Sequence, residues 1–543
     1  MVKKTSIAFL ALAALGILVT GCSSDESSVT ASSSGDSTTS ETGDSSSIDS
    51  SSGDSSTSSS TSSGTPIEGA QQPSVSDPQG ERSSLNELRA TSDTNGLPSL
   101  GQANILVVPV NFADDNESFL LSDTEADDLE DAYFGASGSV ASYYSTSSYG
   151  NLSLDGVVSP IVTLPETVDT YGFKAYYYSI ESVIAEITEY VYDYLFVETG
   201  TYDIEDFDAD DDGKVDYISL CYSWPNTASV ENETLQVLLS YLLVDGEVFH
   251  DSLGSSVLVN SASWSSARIS SAEGSGDRLA RYVYTSGLSL GLDDYSDSTV
   301  SDFSGISRAP LGHVDAMDGY GGDHNPFSKY QLGWVEPTVI TPSNVGADGT
   351  TLTIGASVAS DDVILLSYED QGEFGEYLLI DLYSPTSLNE YSANNNNTEG
   401  RKNFSEAGIR VYKVDSRLAY LHNDWYYNLY DEPDFASGET YRYAYSNDSV
   451  NPLYDYGITS NYALVELLDA SGSNRHMTDE SIELTNDSLF HQGDTFGGES
   501  IIPGFYEDFK FDGDGFDGEY LGLAFTVDSL SSTSATITIT EAE

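Results

Sequence analysis

Apolar residues recur at helical spacing in two stretches of this chain, and both stretches predict helices. The first runs over residues 178–197, where Ser179 is a candidate N-cap at the start of the apolar face. The inward-facing residues predicted for this helix are Ile180, Val183, Ile184, Ile187, Val191 and Leu195. The second predicted helix covers residues 277–290, and its inward-facing residues are Leu279, Val283 and Leu290. We interpret both apolar faces as core packing.

From about residue 345 onward the pattern changes to short segments in which apolar and polar residues alternate. Turn residues separate these segments, and the asparagine run at 394–397 is one example. Alternation of this kind, interrupted by turns, predicts an all-β sandwich over residues 345–543. The alternating segments are 352–354, 377–380, 409–414, 464–467, 523–527 and 535–539.

The chain begins with features typical of an exported lipoprotein. Lys3 and Lys4 precede a short apolar run at residues 7–19, which is too short to span a bilayer easily. The run ends in Val-Thr-Gly-Cys, which resembles a bacterial lipobox with Cys22 as the acylated residue. The prediction is therefore a signal peptide at residues 1–22 and a membrane anchor at Cys22. An ordinary secretory signal, in which Cys22 is incidental, is the alternative.

Residues 23–97 are dominated by Ser, Thr, Gly and Asp, with few apolar side chains. Such a segment buries too little apolar surface to offset its conformational entropy, so we predict a disordered stalk. The stalk would hold the folded part away from the membrane, in a cell-surface location outside the cytoplasm.

Acidic residues outnumber basic ones, 88 to 19, for a formal net charge of −69. This charge would repel nucleic acid and anionic lipid headgroups, so neither is an expected partner. Only two cysteines are present, and with Cys22 lipidated Cys221 has no partner for an internal disulfide. Cys221 lies in an apolar run, and we interpret it as a buried core residue.

The most complete chemical motif is an aspartate-rich loop at residues 208–216. Carboxylates at alternate positions, followed by Gly213 and an aliphatic residue, match the first part of an EF-hand-type calcium loop. The predicted calcium ligands are Asp208, Asp210, Asp212, the carbonyl oxygen of Lys214, and Asp216. Ser219 stands where that loop type has its closing glutamate, so the closing ligand must come from elsewhere. A solvated acidic loop is the alternative. The stretch 511–517 is a shorter match to the same calcium-loop pattern, and it can also be interpreted as a turn.

Five segments, in order, resemble the immune inhibitor A-type secreted metallopeptidases, which are metzincin-like zinc enzymes. They comprise a first strand, a tyrosine-rich helix and turn, the aspartate-rich loop, a zinc-helix region, and a methionine turn followed by Ser-Lys…Leu-Gly-Trp. Met317 is the turn methionine in this resemblance. It implies an α+β, metzincin-like peptidase domain over residues 98–340, ahead of the β-sandwich. The five segments are 104–114, 139–152, 206–216, 284–295 and 314–335.

The zinc motif of that family, H-E-x-x-H-x-x-G-x-x-D, is only half matched. Gly291 and Asp294 fit its last positions, whereas Tyr284, Thr285 and Leu288 stand in place of the two histidines and the glutamate. Zinc peptidases need two imidazoles one helical turn apart and a carboxylate that activates the metal-bound water. We therefore predict no catalytic residues at these positions and no zinc.

Other catalytic arrangements find little support in the sequence. None of the six histidines has a histidine partner four residues away. A G-x-S-x-G sequence occurs at residues 287–291, but it lies at the end of the predicted helix 277–290 and not on the strand-to-helix turn that a nucleophile elbow needs. Asp294 could still join Asp293 or Asp297 in an unusual metal site.

The functional hypothesis is a lipid-anchored extracellular pseudopeptidase that binds a protein or peptide without cleaving it. Two alternatives stay open at this point. One is an active metal-dependent peptidase with an atypical zinc site, and the other is a structural surface adhesin.

Overall fold

The computed structural model describes residues 96–225, 232–239, 242–245, 257–268, 274–295, 309–318, 321–368, 374–396, 402–416, 418–422, 426–429, 441–443, 447, 463–472, 483–497 and 521–542. Within them the chain is a mixed α/β protein with several sheets and eight α-helices. The predicted signal peptide, Cys22 and nearly all of the stalk lie outside the described residues, as do Asp297 and the stretch 511–517.

The first sheet has six strands, in the order β2-β1-β4-β6-β5, and β3 also pairs with β1. All pairings are parallel except that of β5 with β6. The central strands are nearly continuous buried runs, as expected for parallel strands covered on both faces. The strands are β1 (Gly101–Asn111), β2 (Leu152–Val158), β3 (Val162–Thr163), β4 (Val215–Pro225), β5 (Leu242–Asp245) and β6 (Val259–Arg268).

Eight helices are described. They are α1 (Asp123–Phe134), α2 (Val140–Ser147), α3 (Val168–Tyr177), α4 (Ile180–Tyr192), α5 (Glu233–Leu238), α6 (Gly274–Ser289), α7 (Pro326–Gln331) and α8 (Glu390–Asn394).

The first predicted helix is confirmed as α4, which continues as a π-helix over Asp193–Glu198. Ser179 caps it, since the Ser179 side chain accepts a hydrogen bond from the Ser182 backbone N–H. All six residues of the predicted apolar face are buried. The second predicted helix is confirmed as α6, in which Val283 is buried.

Two apolar cores lie on the two faces of the first sheet. Successive side chains of β1 point to opposite faces of the sheet. Ile105 and Val107 therefore belong to one core, and Leu106 and Val108 belong to the other. Helices α3, α4 and α5 contribute to the core that contains Leu106, whereas α1, α2 and α6 contribute to the core that contains Ile105. Cys221 is buried in β4, 3.9 Å from the Ser219 hydroxyl oxygen.

The C-terminal region is built from three further sheets, with strand orders β15-β11-β10-β9-β7, β16-β17-β18-β8 and β13-β12-β14. One apolar cluster draws residues from the first two of these sheets. Each alternating segment of the sequence contains a strand, so those strand predictions are confirmed. The strands are β7 (Thr338–Ile340), β8 (Thr350–Gly355), β9 (Ile364–Leu366), β10 (Glu376–Tyr383), β11 (Gly408–Asp415), β12 (Leu418–His422), β13 (Tyr426–Leu429), β14 (Tyr441–Tyr443), β15 (Val465–Leu467), β16 (Thr495–Phe496), β17 (Leu523–Leu530) and β18 (Ser534–Glu541).

The region before residue 340 and the region after it share buried contacts. The core that contains Ile105 extends into β10 and β11. A buried ion pair joins Lys329 to Asp323 at 2.7 Å, and the Lys329 ammonium also donates to the Ser357 carbonyl oxygen at 3.0 Å. In the described part of the chain, no helix is both long and apolar enough to cross a bilayer.

Candidate functional site

The acidic loop at residues 208–216 gathers three carboxylates. Asp208, Asp210 and Asp216 each contribute one oxygen, and these oxygens lie within 4.8 Å of one another. Asp216 belongs to β4, whereas Asp208 and Asp210 precede that strand. Because two carboxylates lie on the loop and one on the strand, the cluster sits where the loop enters the sheet.

Backbone hydrogen bonds wrap the loop around its own carboxylates. The two oxygens of Asp208 accept from the N–H groups of Asp212 (2.9 Å) and Gly213 (2.8 Å), and Asp212 Oδ1 accepts from the Lys214 N–H at 2.8 Å. Asp211 and Gly213 have φ values of 61° and 86°, in the left-handed region. The predicted role of Gly213, to permit a sharp turn, fits this backbone.

Asp216 is the most constrained carboxylate of the cluster. Its side chain is fully buried, and its Oδ2 accepts a hydrogen bond from the Ala209 N–H at 3.0 Å. Its Oδ1 has no hydrogen-bond partner among the described residues. Burial, together with the nearby charges of Asp210 and Asp208, raises the pKa of Asp216 to about 8. Burial and the charge of Asp212 also raise the pKa of Asp210. A cation between these carboxylates would relieve both effects.

Asp212 and Lys214, the other predicted ligands, take different positions. Asp212 is not among the three clustered carboxylates, and its Oδ2 accepts a hydrogen bond from the Asn260 amide at 3.0 Å. The Lys214 ammonium lies 3.7 Å from the same oxygen. Asn260, on β6, was not a predicted site residue. Its only sequence signal is a polar side chain directly after the apolar run at 257–259, which does not indicate a partner.

The chemistry of this site is that of a hard-cation site. Its donors are oxygens, which are the ligands that calcium, magnesium and manganese prefer. One structural observation agrees with a bound cation. The buried Oδ1 of Asp216 has no hydrogen-bond partner among the described residues, although its carboxylate lies among other negative charges. Its most direct effect would be to hold the loop on the sheet.

Helix α6 carries Tyr284, Thr285 and Leu288, the three positions that the sequence comparison with the zinc motif singled out. Thr285 is fully buried, and its hydroxyl donates to the backbone oxygens of Arg281 (3.2 Å) and Tyr282 (3.3 Å). Tyr284 is 8% exposed and belongs to the core that contains Ile105, and Leu288 packs against the same core. All three positions are therefore occupied by packed side chains.

The end of α6 has the geometry that its glycine predicts. Gly291 has φ of 90°, and its N–H donates to the Leu288 carbonyl oxygen at 2.8 Å. The Leu292 N–H donates to the Gly287 carbonyl oxygen at 3.0 Å, which completes a Schellman motif. Asp293 and Asp294 follow, both partly buried.

Met317 lies against α6. It forms a 3-10 turn with its neighbours, and its N–H donates to the Asp315 carboxylate at 2.8 Å. A Cβ added at Gly287 would lie 2.5 Å from the Met317 sulfur, so the glycine allows the methionine to approach the helix. Burial raises the pKa of Asp315, which holds this turn, to about 6.

His324 lies near α6 in the same core. Its ring packs against the rings of Tyr143, Tyr144 and Trp334, with centroids 5.5 to 5.9 Å apart. Neither ring nitrogen has a hydrogen-bond partner within the described part of the chain. Burial lowers the pKa of His324 to about 3.

Hydroxyl groups line the contact between α6 and the sheet. Tyr217 donates to Ser263 at 2.7 Å, and Ser261 pairs with Ser289 of the helix at 2.8 Å. Ser219 is held by Tyr133 at 2.6 Å. These bonds pair the hydroxyls that they join, whereas the buried hydroxyls of Ser265 and Ser286 have no partner among the described residues.

No protein-family model matches this chain, and no curated protein matches it either.

Proposed function

We propose that this chain is a lipid-anchored, extracellular pseudopeptidase of the immune inhibitor A-type family, which binds a protein or peptide without hydrolysing it. The observation that carries the proposal is the packing of Tyr284, Thr285 and Leu288 on α6. An alkyl side chain offers no ligand atom, and a buried threonine hydroxyl bonded to its own helix cannot act as the general base.

Three local features support a metzincin-like region at 98–340. The helix α6 packs on a mostly parallel sheet, it ends at the glycine that the zinc motif requires, and Met317 packs against it at Gly287. A β-sandwich at 345–543 is supported by the apolar cluster that two C-terminal sheets share. The family assignment depends on these positions and on the five sequence segments.

We further propose that the acidic loop binds calcium and that the ion has a structural role. Its oxygen donors and the glycine-permitted turn agree with the first part of an EF-hand-type loop. Calcium would offset the repulsion among Asp208, Asp210 and Asp216, and so stabilise the folded state over the unfolded one.

The location follows from the start of the sequence. Two or more acyl chains at Cys22 would give a lasting membrane anchor, since each buried methylene contributes about 0.8 kcal/mol. The acidic stalk and the net charge of −69 make nucleic acid an unsuitable partner and favour an extracellular protein or peptide.

Metal content and proteolysis, measured on the full chain, test the proposal. We expect no stoichiometric zinc by elemental analysis and no cleavage of unfolded casein, with or without added zinc. An active zinc peptidase assayed in parallel controls for the assay. Chelator-sensitive proteolysis at ordinary enzyme rates would contradict the proposal and favour an active peptidase with an atypical site.

A further inference from the structure

Two buried side-chain oxygens on neighbouring strands have no hydrogen-bond partner among the described residues, and both belong to residues that contact the acidic loop. One is Oδ1 of Asp216 on β4, and the other is Oδ1 of Asn260 on β6. The strands pair in parallel with Val215 opposite Val259 and Tyr217 opposite Ser261, so Asp216 and Asn260 are neighbours in the ladder. Residues at matched positions of adjacent strands project to the same face of a sheet.

The Asn260 amide touches the loop directly. Its nitrogen donates to Asp212 Oδ2 at 3.0 Å, although the Asn260 side chain is fully buried. Leaving a buried polar atom unsatisfied destabilises the folded state. A single cation at the acidic loop would pair with both Oδ1 atoms and with the carboxylates of Asp208 and Asp210.

The sequence position that should close the site is engaged elsewhere. Ser219 stands in place of the closing glutamate, but its hydroxyl pairs with Tyr133 at 2.6 Å and accepts from Ser263 at 3.1 Å. Its bonds lie within the buried hydroxyl groups under α6. The closing ligand must therefore come from another element.

We infer that Asn260 is a ligand of the cation through Oδ1, and that it closes the site from strand β6. This inference depends on the proposed calcium site. The same amide would ligate the ion with its oxygen and hold Asp212 with its nitrogen. The ion would thereby join the loop to a second strand of the sheet.

The joined strand leads to α6. Ser261, the residue after Asn260, donates to the Asp216 backbone oxygen at 2.9 Å and pairs with Ser289 of α6 at 2.8 Å. Calcium bound by Asp216 and Asn260 would therefore fix the residue that accepts from Ser261 and the residue that precedes Ser261 in the chain. The stability of the end of α6 should depend on calcium for this reason.

The test is isothermal titration of the full chain with calcium chloride, on the parent and three variants. Asn260→Ala removes the oxygen, and we expect it to weaken calcium binding by about 10-fold or more. Asn260→Asp keeps an oxygen but has no N–H to donate, and we expect it to bind calcium as tightly as the parent or more tightly. Asn111→Ala, at a buried asparagine of β1 that accepts from the Leu121 N–H, is the matched control and should leave affinity unchanged.

The outcomes separate the two proposals. A parent that binds no calcium overturns the calcium site and the role of Asn260 with it. A parent that binds calcium, with Asn260→Ala binding equally well, overturns the role of Asn260 alone. Weak binding by Asn260→Asp would mean that Asn260 serves as an N–H donor to Asp212 and not as a ligand. This last measurement decides the question even if Asn260→Ala does not fold.

Discussion

The acidic loop and helix α6 adjoin the same two strands, β4 and β6, but their buried polar atoms are satisfied in different ways. In the loop, carboxylates lie within 4.8 Å of one another, and buried oxygens of Asp216 and Asn260 have no partner in the described residues. On α6, the Thr285 hydroxyl bonds to its own helix, and Tyr284 and Leu288 pack into the core.

This difference separates a site that is arranged for a ligand from one that is filled by side chains. Unsatisfied buried oxygens among like charges are costly unless a ligand completes them. A tyrosine and a leucine packed in a core carry no such cost. The acidic loop therefore leaves buried oxygens that a cation would pair, whereas Tyr284 and Leu288 fill their positions on α6 with packed side chains.

The largest expected effect is that of calcium on stability. At free calcium about 1,000-fold above Kd, binding should raise the free energy of unfolding by about 4 kcal/mol. Chelation with EGTA should lower the melting temperature accordingly, as measured by scanning calorimetry. An identical melting curve in EGTA and in calcium would show that the loop is a solvated turn. The contrast between the acidic loop and α6 would then be wrong.

A matched pair of variants tests which carboxylates are responsible. Asp210→Asn removes a clustered charge, so it should abolish most of the calcium-dependent shift. Asp211→Asn changes the adjacent carboxylate, which is outside the cluster, and asparagine tolerates its positive φ. It should retain the shift. Equal losses in the two variants would indicate a general charge effect.

The second expected effect concerns His324 in the core beside α6. Its pKa is lowered from 6.5 to about 3 by burial, so the folded protein keeps the imidazole neutral. The unfolded chain binds a proton below pH 6.5, and stability is therefore lost as the pH falls from 6.5 toward 3. The loss approaches about 1.4 kcal/mol per pH unit well below pH 6.5, and it is about 2 kcal/mol between pH 6.5 and 4.5.

His324→Phe should remove that part of the acid sensitivity, because its ring suits the aromatic surroundings of Tyr143, Tyr144 and Trp334. Urea unfolding of parent and variant at pH 6.5 and 4.5 measures it. The parent should lose about 2 kcal/mol more than the variant over this range. If parent and variant lose the same free energy of unfolding, then water or a charge reaches His324, and the core beside α6 is not closely packed.

Much of the fold could be predicted from the sequence where one local pattern decides the outcome. The 3.6-residue period identified α4, the Ser179 cap identified its start, and alternation identified the C-terminal strands. The acidic loop was predictable for the same reason, because its ligand spacing and Gly213 lie within a few residues.

The parts that were missed depend on contacts between distant segments. Asn260 comes next to Asp216 only through the pairing of β4 with β6, which single-sequence patterns do not specify. The absence of Asp212 from the cluster is a consequence of the same contact, because Asn260 and the Lys214 N–H engage its oxygens. Likewise, the depth at which Thr285 is buried depends on how α6 packs on the sheet.

The smallest expected effect comes from rebuilding a metal site on α6. Tyr284→His with Leu288→His would place two imidazoles one helical turn apart, with Asp294 following the Schellman turn as a possible third ligand. Because both positions are packed, only weak zinc binding is expected; at zinc about 10-fold above Kd it would stabilise the variant by about 1.4 kcal/mol. Melting temperatures with and without zinc measure the effect, and Tyr284→His alone is the control that should show none. Restoring the glutamate at Thr285 would bury a charge, so we expect the triple variant to lose stability and not to gain hydrolysis. If the double variant folds but binds no more zinc than the parent, either the zinc motif is misaligned at Tyr284 or the packed core keeps the imidazoles apart.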